Sequence, residues 1–253
     1  MPVGRAEQSA ARDRSCALVV VGNEVLSGKI QDSNSYFAAR ELRRLGVALR
    51  RIAVVPDELD AIAEEAAYSA ARYDVVLTSG GVGPTHDDVT IEGVARAFNR
   101  KVVRHPELER LIRERVRGDV NPARLKMAEV PEGAILNPAA NAGFPTVQVE
   151  NVYVLPGIPQ LFEAKLMALA EKLRAAPYYQ RTIYTQAGES AVAAHLNACL
   201  EKFPELMLGS YPKLDSADYR VKLTLESKDR AYLERAFDHL LKSLPAGTVA
   251  RTE

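Results

Sequence analysis

Residues 78–88 read Thr-Ser-Gly-Gly-Val-Gly-Pro-Thr-His-Asp-Asp, with Gly80, Gly81 and Gly83 placing three glycines in four positions. A glycine has no Cβ, so its backbone N–H can approach a phosphate oxygen closely. The adjacent carboxylates of Asp87 and Asp88 would repel a bare phosphate. They make chemical sense when a divalent cation sits between them and the phosphate oxygens and lowers the pKa of an attacking water. The pattern points to a metal-assisted phosphate or diphosphate site. Asp87 and Asp88 are its expected metal ligands, and Thr78, Ser79, Gly80, Gly81, Gly83, Pro84 and Thr85 are expected around the ligand. The same residues also suit a plain tight turn with Asp88 as a helix N-cap. The combination of glycines, Pro84, flanking threonines and a double aspartate favours the ligand reading. Neither the P-loop nor the dinucleotide spacing is present.

The loop has the setting that such chemistry needs. Val75-Val76-Leu77 before it reads as a buried strand, and Ile91, Val94, Ala95 and Phe98 after it share one helix face. Upstream, 16–21 is an apolar strand running into a second glycine turn at 22–28. A helix then runs from Asp32-Ser33-Asn34 to about Leu45, with Ala38, Leu42 and Leu45 inward. A strand at 47–55 and a helix capped by Pro56-Asp57 complete a β-α-β-α-β-α order, which predicts a mostly parallel sheet with helices on both faces. Ligands of such sheets sit beyond the carboxyl ends of the strands, so 22–28 and 78–88 should converge on one crevice. Glu24 and Asp57 become further candidate carboxylates for the metal or the water, and Lys126 a candidate to offset charge on the leaving phosphate.

Beyond Phe98 the pattern predicts a helix over 105–116, an irregular stretch over 121–140 and, over 147–155, two short strands or a hairpin around Glu150-Asn151. Pro156-Gly157 then leads into a helix carrying Phe162, Leu166, Leu169 and Leu173. That turn reads equally as a rigid connection and as a ligand contact. Pro177 marks a boundary, after which a β-α-β-β-α unit forms a small α+β subdomain. The expected division is a tail at 1–15, a first domain at 16–176 and a subdomain at 177–253.

Lys plus Arg and Asp plus Glu each number 33 in 253 residues, so no global field draws nucleic acid or a membrane surface. The basic cluster of Arg40, Arg43, Arg44, Arg50 and Arg51 reads as a solvated face. Cys16 and Cys199 read as buried thiols. His86 is a local hydrogen-bonder before it is a metal ligand, and His105, His195 and His239 read as structural. No stretch has the length of a membrane span, and 1–15 has no apolar core of a signal peptide. A cytoplasmic protein is expected, and a homo-oligomer.

The segment from Gly80 through Thr90, together with Gly22-Asn23-Glu24-Val25-Leu26-Ser27-Gly28 and Gln31-Asp32-Ser33-Asn34-Ser35-Tyr36-Phe37, resembles the signature of the molybdopterin-binding-like (MoaB/Mog) domain family. That family takes in molybdenum cofactor biosynthesis proteins, competence/damage-inducible protein A and the N-terminal domain of eukaryotic FAD synthase. Val54-Val55-Pro56-Asp57-Glu58, Tyr153-Val154-Leu155-Pro156-Gly157-Ile158-Pro159 and Leu208-Gly209-Ser210-Tyr211-Pro212 are most similar to the last of these. The resemblance covers residue 16 to about residue 250. It implies a three-layer α/β/α fold with a mostly parallel sheet and a small KH-like α+β subdomain. It also implies an essential role for Asp88, and it brings Gly22, Asn23, Glu24, Asp32, Asn34, Pro156 and Gly157 into the ligand-binding set. Asn23 departs from the family, where Thr or Asp is common.

Two activities follow from the resemblance. One is hydrolysis of a phosphoanhydride in FAD or ADP-ribose, dependent on a divalent metal (Mg, Mn or Co) and helped by K⁺. The alternative is molybdopterin binding in molybdenum cofactor biosynthesis. A non-catalytic nucleotide-binding module is a third reading, against which the two aspartates argue. The chain shows no adenylyltransferase or deamidase segment, so synthesis of FAD is not expected. No G-x-x-G loop appears in the C-terminal unit, so RNA binding is not expected either.

Overall fold

A computed structural model describes residues 13–115, 120–138, 143–213 and 218–253. In chain order its elements begin with β1 (Ser15–Val21), α1 (Asn23–Leu26), α2 (Ser33–Arg44), β2 (Ala48–Val55), α3 (Leu59–Ala70), β3 (Val75–Ser79), α4 (Thr90–Ala97), β4 (Val102–Arg104) and α5 (Pro106–Arg115). There follow α6 (Pro122–Lys126), β5 (Glu129–Pro131), β6 (Ile135–Asn137), β7 (Thr146–Val149), β8 (Val152–Val154), α7 (Pro159–Ala168) and α8 (Ala170–Leu173). The chain ends with β9 (Tyr179–Thr185), α9 (Glu189–Lys202), β10 (Met207–Pro212), β11 (Val221–Ser227), α10 (Arg230–Ser243) and β12 (Val249–Thr252). It divides into two compact units, 1–175 and 176–253.

In the first unit a six-stranded sheet has the order β2-β1-β3-β8-β7-β6. The pairs β1–β2, β1–β3 and β3–β8 are parallel, and β7–β8 and β6–β7 are antiparallel. Alternation along β1 makes the layers. Cys16, Leu18 and Val20 face Ala38 and Leu42 of α2 with Phe162 and Leu166 of α7. Ala17, Val19 and Val21 face Ile62 of α3, Val94 of α4 and Ile112 of α5. Covered on both faces, β1 has no place for a polar side chain from Cys16 onward, which explains its unbroken apolar run. The fold is therefore three-layer α/β/α with a mostly parallel sheet.

Several elements differ from the sequence reading. Residues 1–12 of the expected tail lie outside the described residues, and Ser15 already belongs to β1. The last residue of the helix expected over 105–116 lies outside them too. The stretch read as irregular contains α6, β5 and β6, and β5 pairs antiparallel with β4. Elements of three to five residues are too short for periodicity to show. The expected hairpin is present, and Glu150 turns it at φ 50°. Asn151 Nδ2 donates to Ala70 O at 3.0 Å and Tyr73 O at 2.8 Å, closing the end of α3.

The second unit is a four-stranded sheet, β10-β11-β9-β12, with antiparallel pairing throughout. Its core joins Ile183, Leu223 and Leu225 of the sheet to Val192 and Cys199 of α9 and Leu233, Phe237 and Leu240 of α10. Strand β12 was invisible in the sequence because Val249-Ala250-Arg251-Thr252 has no apolar alternation. Both cysteines are buried free thiols, and burial raises the pKa of each. Among the described residues no helix is long and apolar enough to cross a membrane.

Two local features of the sheet carry much of its constraint. Strand β3 leaves the sheet through Gly80 at φ 108°, where a Cβ would lie 2.2 Å from Val21 O. At the edge strand, Arg51 Nε and Nη2 donate to the two oxygens of Glu65 on α3 at 2.7 and 2.8 Å, and Ser69 Oγ donates to the same carboxylate at 2.8 Å. The Arg51 hydrogen bond holds the Glu65 carboxyl below the usual carboxylate range, against the opposing effect of burial.

Gly80→Ala should lower unfolding free energy by about 3 kcal/mol or more, from backbone strain plus the clash. Gly28→Ala, also at positive φ but with open space around it, should cost about 1 kcal/mol. Urea titration followed by circular dichroism compares them. A Glu65→Gln variant should melt at lower temperature than the parent at pH 7. Because the folded pKa lies below the unfolded one, the pair's contribution is complete above about pH 4.3 and lost as pH falls through the folded value. The melting deficit should shrink as the pH falls below about 4.3; a constant deficit would contradict the pairing.

Candidate functional site

The carboxyl ends of β1, β2, β3 and β8 lie side by side, and the expected site residues follow them. Gly22 N–H donates to Val55 O at 3.2 Å. Asn23 N–H donates to Asp57 Oδ2 at 2.8 Å. Asp57 therefore ties the exits of β1 and β2 together. The N-cap position of α3 belongs to Glu58, which makes no side-chain cap bond, so the expected Asp57 cap is corrected. The Glu24 carboxylate folds over Gly22, where a Cβ would lie 2.7 Å from Oε1. Asp32 caps α2, its Oδ1 accepting from Ser35 N–H at 3.0 Å.

Asn34, on the first turn of α2, is 6% exposed. Its Nδ2 donates to Ser79 Oγ at 2.9 Å and to Gly157 O at 2.8 Å, so one side chain joins α2, β3 and the turn after β8. Its Oδ1 is buried with no partner among the described residues. Thr78 is fully buried, and its hydroxyl accepts from Leu155 N–H at 3.3 Å, a stitch between β3 and β8.

The glycine loop is held at both ends. Thr90 N–H donates to Gly81 O and Thr90 Oγ1 to Gly80 O, each at 2.9 Å. Asp88 Oδ2 accepts from Thr85 N–H at 2.8 Å and from the Thr85 hydroxyl. The N-cap position of α4 is Val89, so Asp88 closes its own loop and does not cap the helix. Gly83 has no room for a Cβ, which would meet Asp88 Oδ2 at 2.6 Å. Lys126 Nζ donates to Asp88 O at 2.7 Å and Thr85 O at 3.1 Å, and lies 3.6 Å from Glu92 Oε1. Between these anchors the N–H groups of Gly81, Val82 and Gly83 donate to no protein acceptor among the described residues. Three successive unpaired donors form a concavity suited to an anion.

Asp87 is exposed, and its carboxyl sits below the usual range, first through its approach to the Thr85 hydroxyl, whose single proton it shares with Asp88 Oδ2, then through its own backbone N–H and the nearby charges of His86 and Lys126. The His86 side chain is 97% exposed, with Nδ1 3.9 Å from Asp87 Oδ1. Among the described residues no group of three or more His, Cys, Asp or Glu side chains is arranged to hold a metal ion.

Two separate hollows draw on these residues. The larger encloses about 330 Å³ and is lined by Gly81, Gly83, Asp88, Lys126 and Pro156 with a mainly apolar remainder. The smaller, about 60 Å³, is lined by Glu24, Asp32, Asn34, Ser79 and Gly157. The residues expected to share one crevice are thus divided between two. Gly22, Asn23, Asp57, Thr78, Gly80, Pro84, Thr85 and Asp87 line neither.

Sequence reasoning gave no part to Thr90, Glu92 or Lys165, although Thr90 clamps the loop and the other two line the larger cleft. Lys165 carried a signal. It stands three residues after Phe162 and one before Leu166, a charge on the inner face of an apolar helix.

The family described as "Probable molybdopterin binding domain" matches residues 17–175, and "FAD synthase, middle domain" matches residues 177–253. A protein from Archaeoglobus fulgidus is 36% identical over 196 residues, covering 78% of this chain and 85% of its own length. A "Probable FAD synthase" of Caenorhabditis briggsae is 32% identical over 93% of this chain, and the chain spans about half the length of that relative. Among solved structures, the protein CinA of Thermoplasma acidophilum, of unknown function, is 31% identical with a TM-score of 0.59, covering 64% of this chain and 98% of its own. With 159 of its 253 residues inside the first match, the chain belongs to the molybdopterin-binding domain family.

Proposed function

We propose that this chain is a metal-dependent hydrolase of a nucleotide diphosphate linkage of the FAD or ADP-ribose type. One observation carries the reading. Three successive unpaired N–H groups at 81–83, which attract an anion, share a loop with the carboxylates of Asp88, which packs against Gly83, and Asp87, both of which repel one. A divalent cation between carboxylates and phosphate reconciles the two. The donor set fits such a cation: Asp87 is exposed and held ionised, and the Asp88 hydrogen bonds leave Oδ1 without a partner among the described residues. Mg²⁺-type ions are commonly held by one or two carboxylates plus substrate phosphates, not by an all-protein cage.

When bound, the cation supplies charge neutralisation and an acidified water. The chain's own part is positional. The N–H groups of 81–83 receive the diphosphate oxygens, and the Thr85–Asp88 hydrogen bonds fix the direction of the Asp88 carboxylate. Lys126, spent on two loop carbonyls, keeps the turn from opening as charge accumulates. The wall of the larger cleft excludes water from the rest of the ligand. The "Probable FAD synthase" names of relatives and the match to a FAD synthase middle domain support a flavin or adenine nucleotide as substrate class. The family's description favours a second reading, a pterin phosphate bound in the same cleft without turnover.

AMP release from FAD and ADP-ribose, assayed with Mg²⁺, Mn²⁺ or Co²⁺ plus K⁺, should be abolished by EDTA. Asp88→Ala should lower kcat by about 10²–10³. Metal-independent release, or release unaffected by Asp88→Ala, contradicts the hydrolase; tight pterin binding with no AMP release from either nucleotide establishes the second reading.

A further inference from the structure

Four charged residues that line the larger cleft, Glu92, Arg115, Glu129 and Lys165, have no part in the diphosphate chemistry, and Glu92 and Lys165 are incompletely bonded. Lys165, on the inner face of α7, is 9% exposed. Its Nζ donates to Phe144 O at 2.6 Å and Pro145 O at 3.1 Å, and among the described residues no carboxylate pairs with it. An ammonium has three protons, so one N–H remains. Burial lowers its pKa to about 8. A buried, unpaired ammonium costs stability unless something completes its bonding. Glu92 presents the reciprocal case. Its Oε1 faces Lys126 at 3.6 Å, while Oε2 is buried without a hydrogen-bond partner.

Both residues line the same cleft, whose walls also include Val147, Val154, Pro156 and Leu161. Beside Asp88, Arg115, Lys126 and Glu129, which also line it, the cleft holds one incompletely bonded donor and one incompletely bonded acceptor in mainly apolar surface, in a volume of about 330 Å³, within the range of small-molecule sites. A second phosphate does not match this pair, because Glu92 would repel it and the neighbouring cations Arg115 and Lys126 already donate to backbone carbonyls. A planar nitrogen heterocycle does match. Its faces are apolar and its edge carries both a ring nitrogen or carbonyl acceptor and an N–H donor.

We propose that Lys165 and Glu92 form a ring-recognition subsite, with Lys165 donating to an acceptor on a nitrogen heterocycle and Glu92 accepting from one of its N–H groups. This deepens the hydrolase reading by assigning the cleft to the ring end of the nucleotide. It rests on that reading only for the diphosphate end, so ring compounds without phosphate test it separately. Flavin, pterin and adenine rings share the required edge chemistry, and the titration tells them apart.

Riboflavin, lumazine and adenosine are titrated into the parent, Lys165→Met and Glu92→Met, by fluorescence for the first two and calorimetry for the third. At least one should bind the parent, and each substitution should weaken it about tenfold or more, the loss expected for a hydrogen bond to a charged group. In the AMP-release assay the same substitutions should raise KM more than they lower kcat. Should Lys165→Met fail to fold, Glu92→Met carries the test. Failure of all three compounds to bind the parent, or equal affinity in parent and folded variants, overturns the subsite. AMP release by the parent reports on the hydrolase independently of either result.

Discussion

The close approach of Gly80 to the Val21 carbonyl is the constraint on which the rest of the site depends. Strands β1 and β3 are adjacent and parallel, with Val20 opposite Ser79, so their exits leave the sheet together. No side chain fits where the second passes the first. Gly157, after β8, packs against the same point, where its Cβ would lie 3.2 Å from Gly80 Cα. The backbone that emerges is then clamped by Thr90, and Asp88 and Lys126 fix its far end. A loop held in this way can leave three N–H groups unpaired without collapsing onto them. These N–H groups find no protein acceptor among the described residues, and the one loop carboxylate that is hydrogen-bonded, Asp88, is turned to Thr85.

The charges at this loop have different degrees of freedom. Asp88 is committed through one oxygen, and Lys126 is committed to loop carbonyls. Asp87 is exposed and ionised. Lys165, though buried, keeps a proton to give. Anion-attracting and anion-repelling groups thus occupy the same few residues, while the rest of the cleft lining is mainly apolar and includes the incompletely bonded Glu92 and Lys165. Such a distribution separates a charged end of a ligand from an uncharged one, which is the polarity of a nucleotide.

The sheet was legible because β1 and β3 are buried on both faces and carry no polar interruption until the turn. Helices α2, α3 and α10 were legible from their apolar spacing. The glycine loop announced itself through composition that no ordinary turn requires. What stayed hidden was of two kinds. Short elements such as α6, β5 and β6 have too few residues for a period, and β12 has no apolar alternation. The roles of Asp57 and Asp88 depend on which backbone N–H comes within reach, Asn23 in one case and Thr85 in the other. Spacing cannot show that. The division of the expected residues between two hollows likewise depends on how Gly80 and Gly157 meet. Lys165 was within reach of sequence reasoning, as the one charge on the inner face of its helix.

The most direct measurement is the crystal structure of the chain with Mn²⁺ and an ADP-ribose analogue carrying a methylene bridge in place of the anhydride oxygen, the metal being located by its anomalous scattering. The expected density puts the diphosphate oxygens on the N–H groups of Gly81, Val82 and Gly83, with Mn²⁺ between them and the carboxylates of Asp87 and Asp88. Density for the diphosphate and Mn²⁺ in the smaller hollow, against Glu24, Asp32 and Asn34, would contradict the assignment of the glycine loop as the diphosphate site.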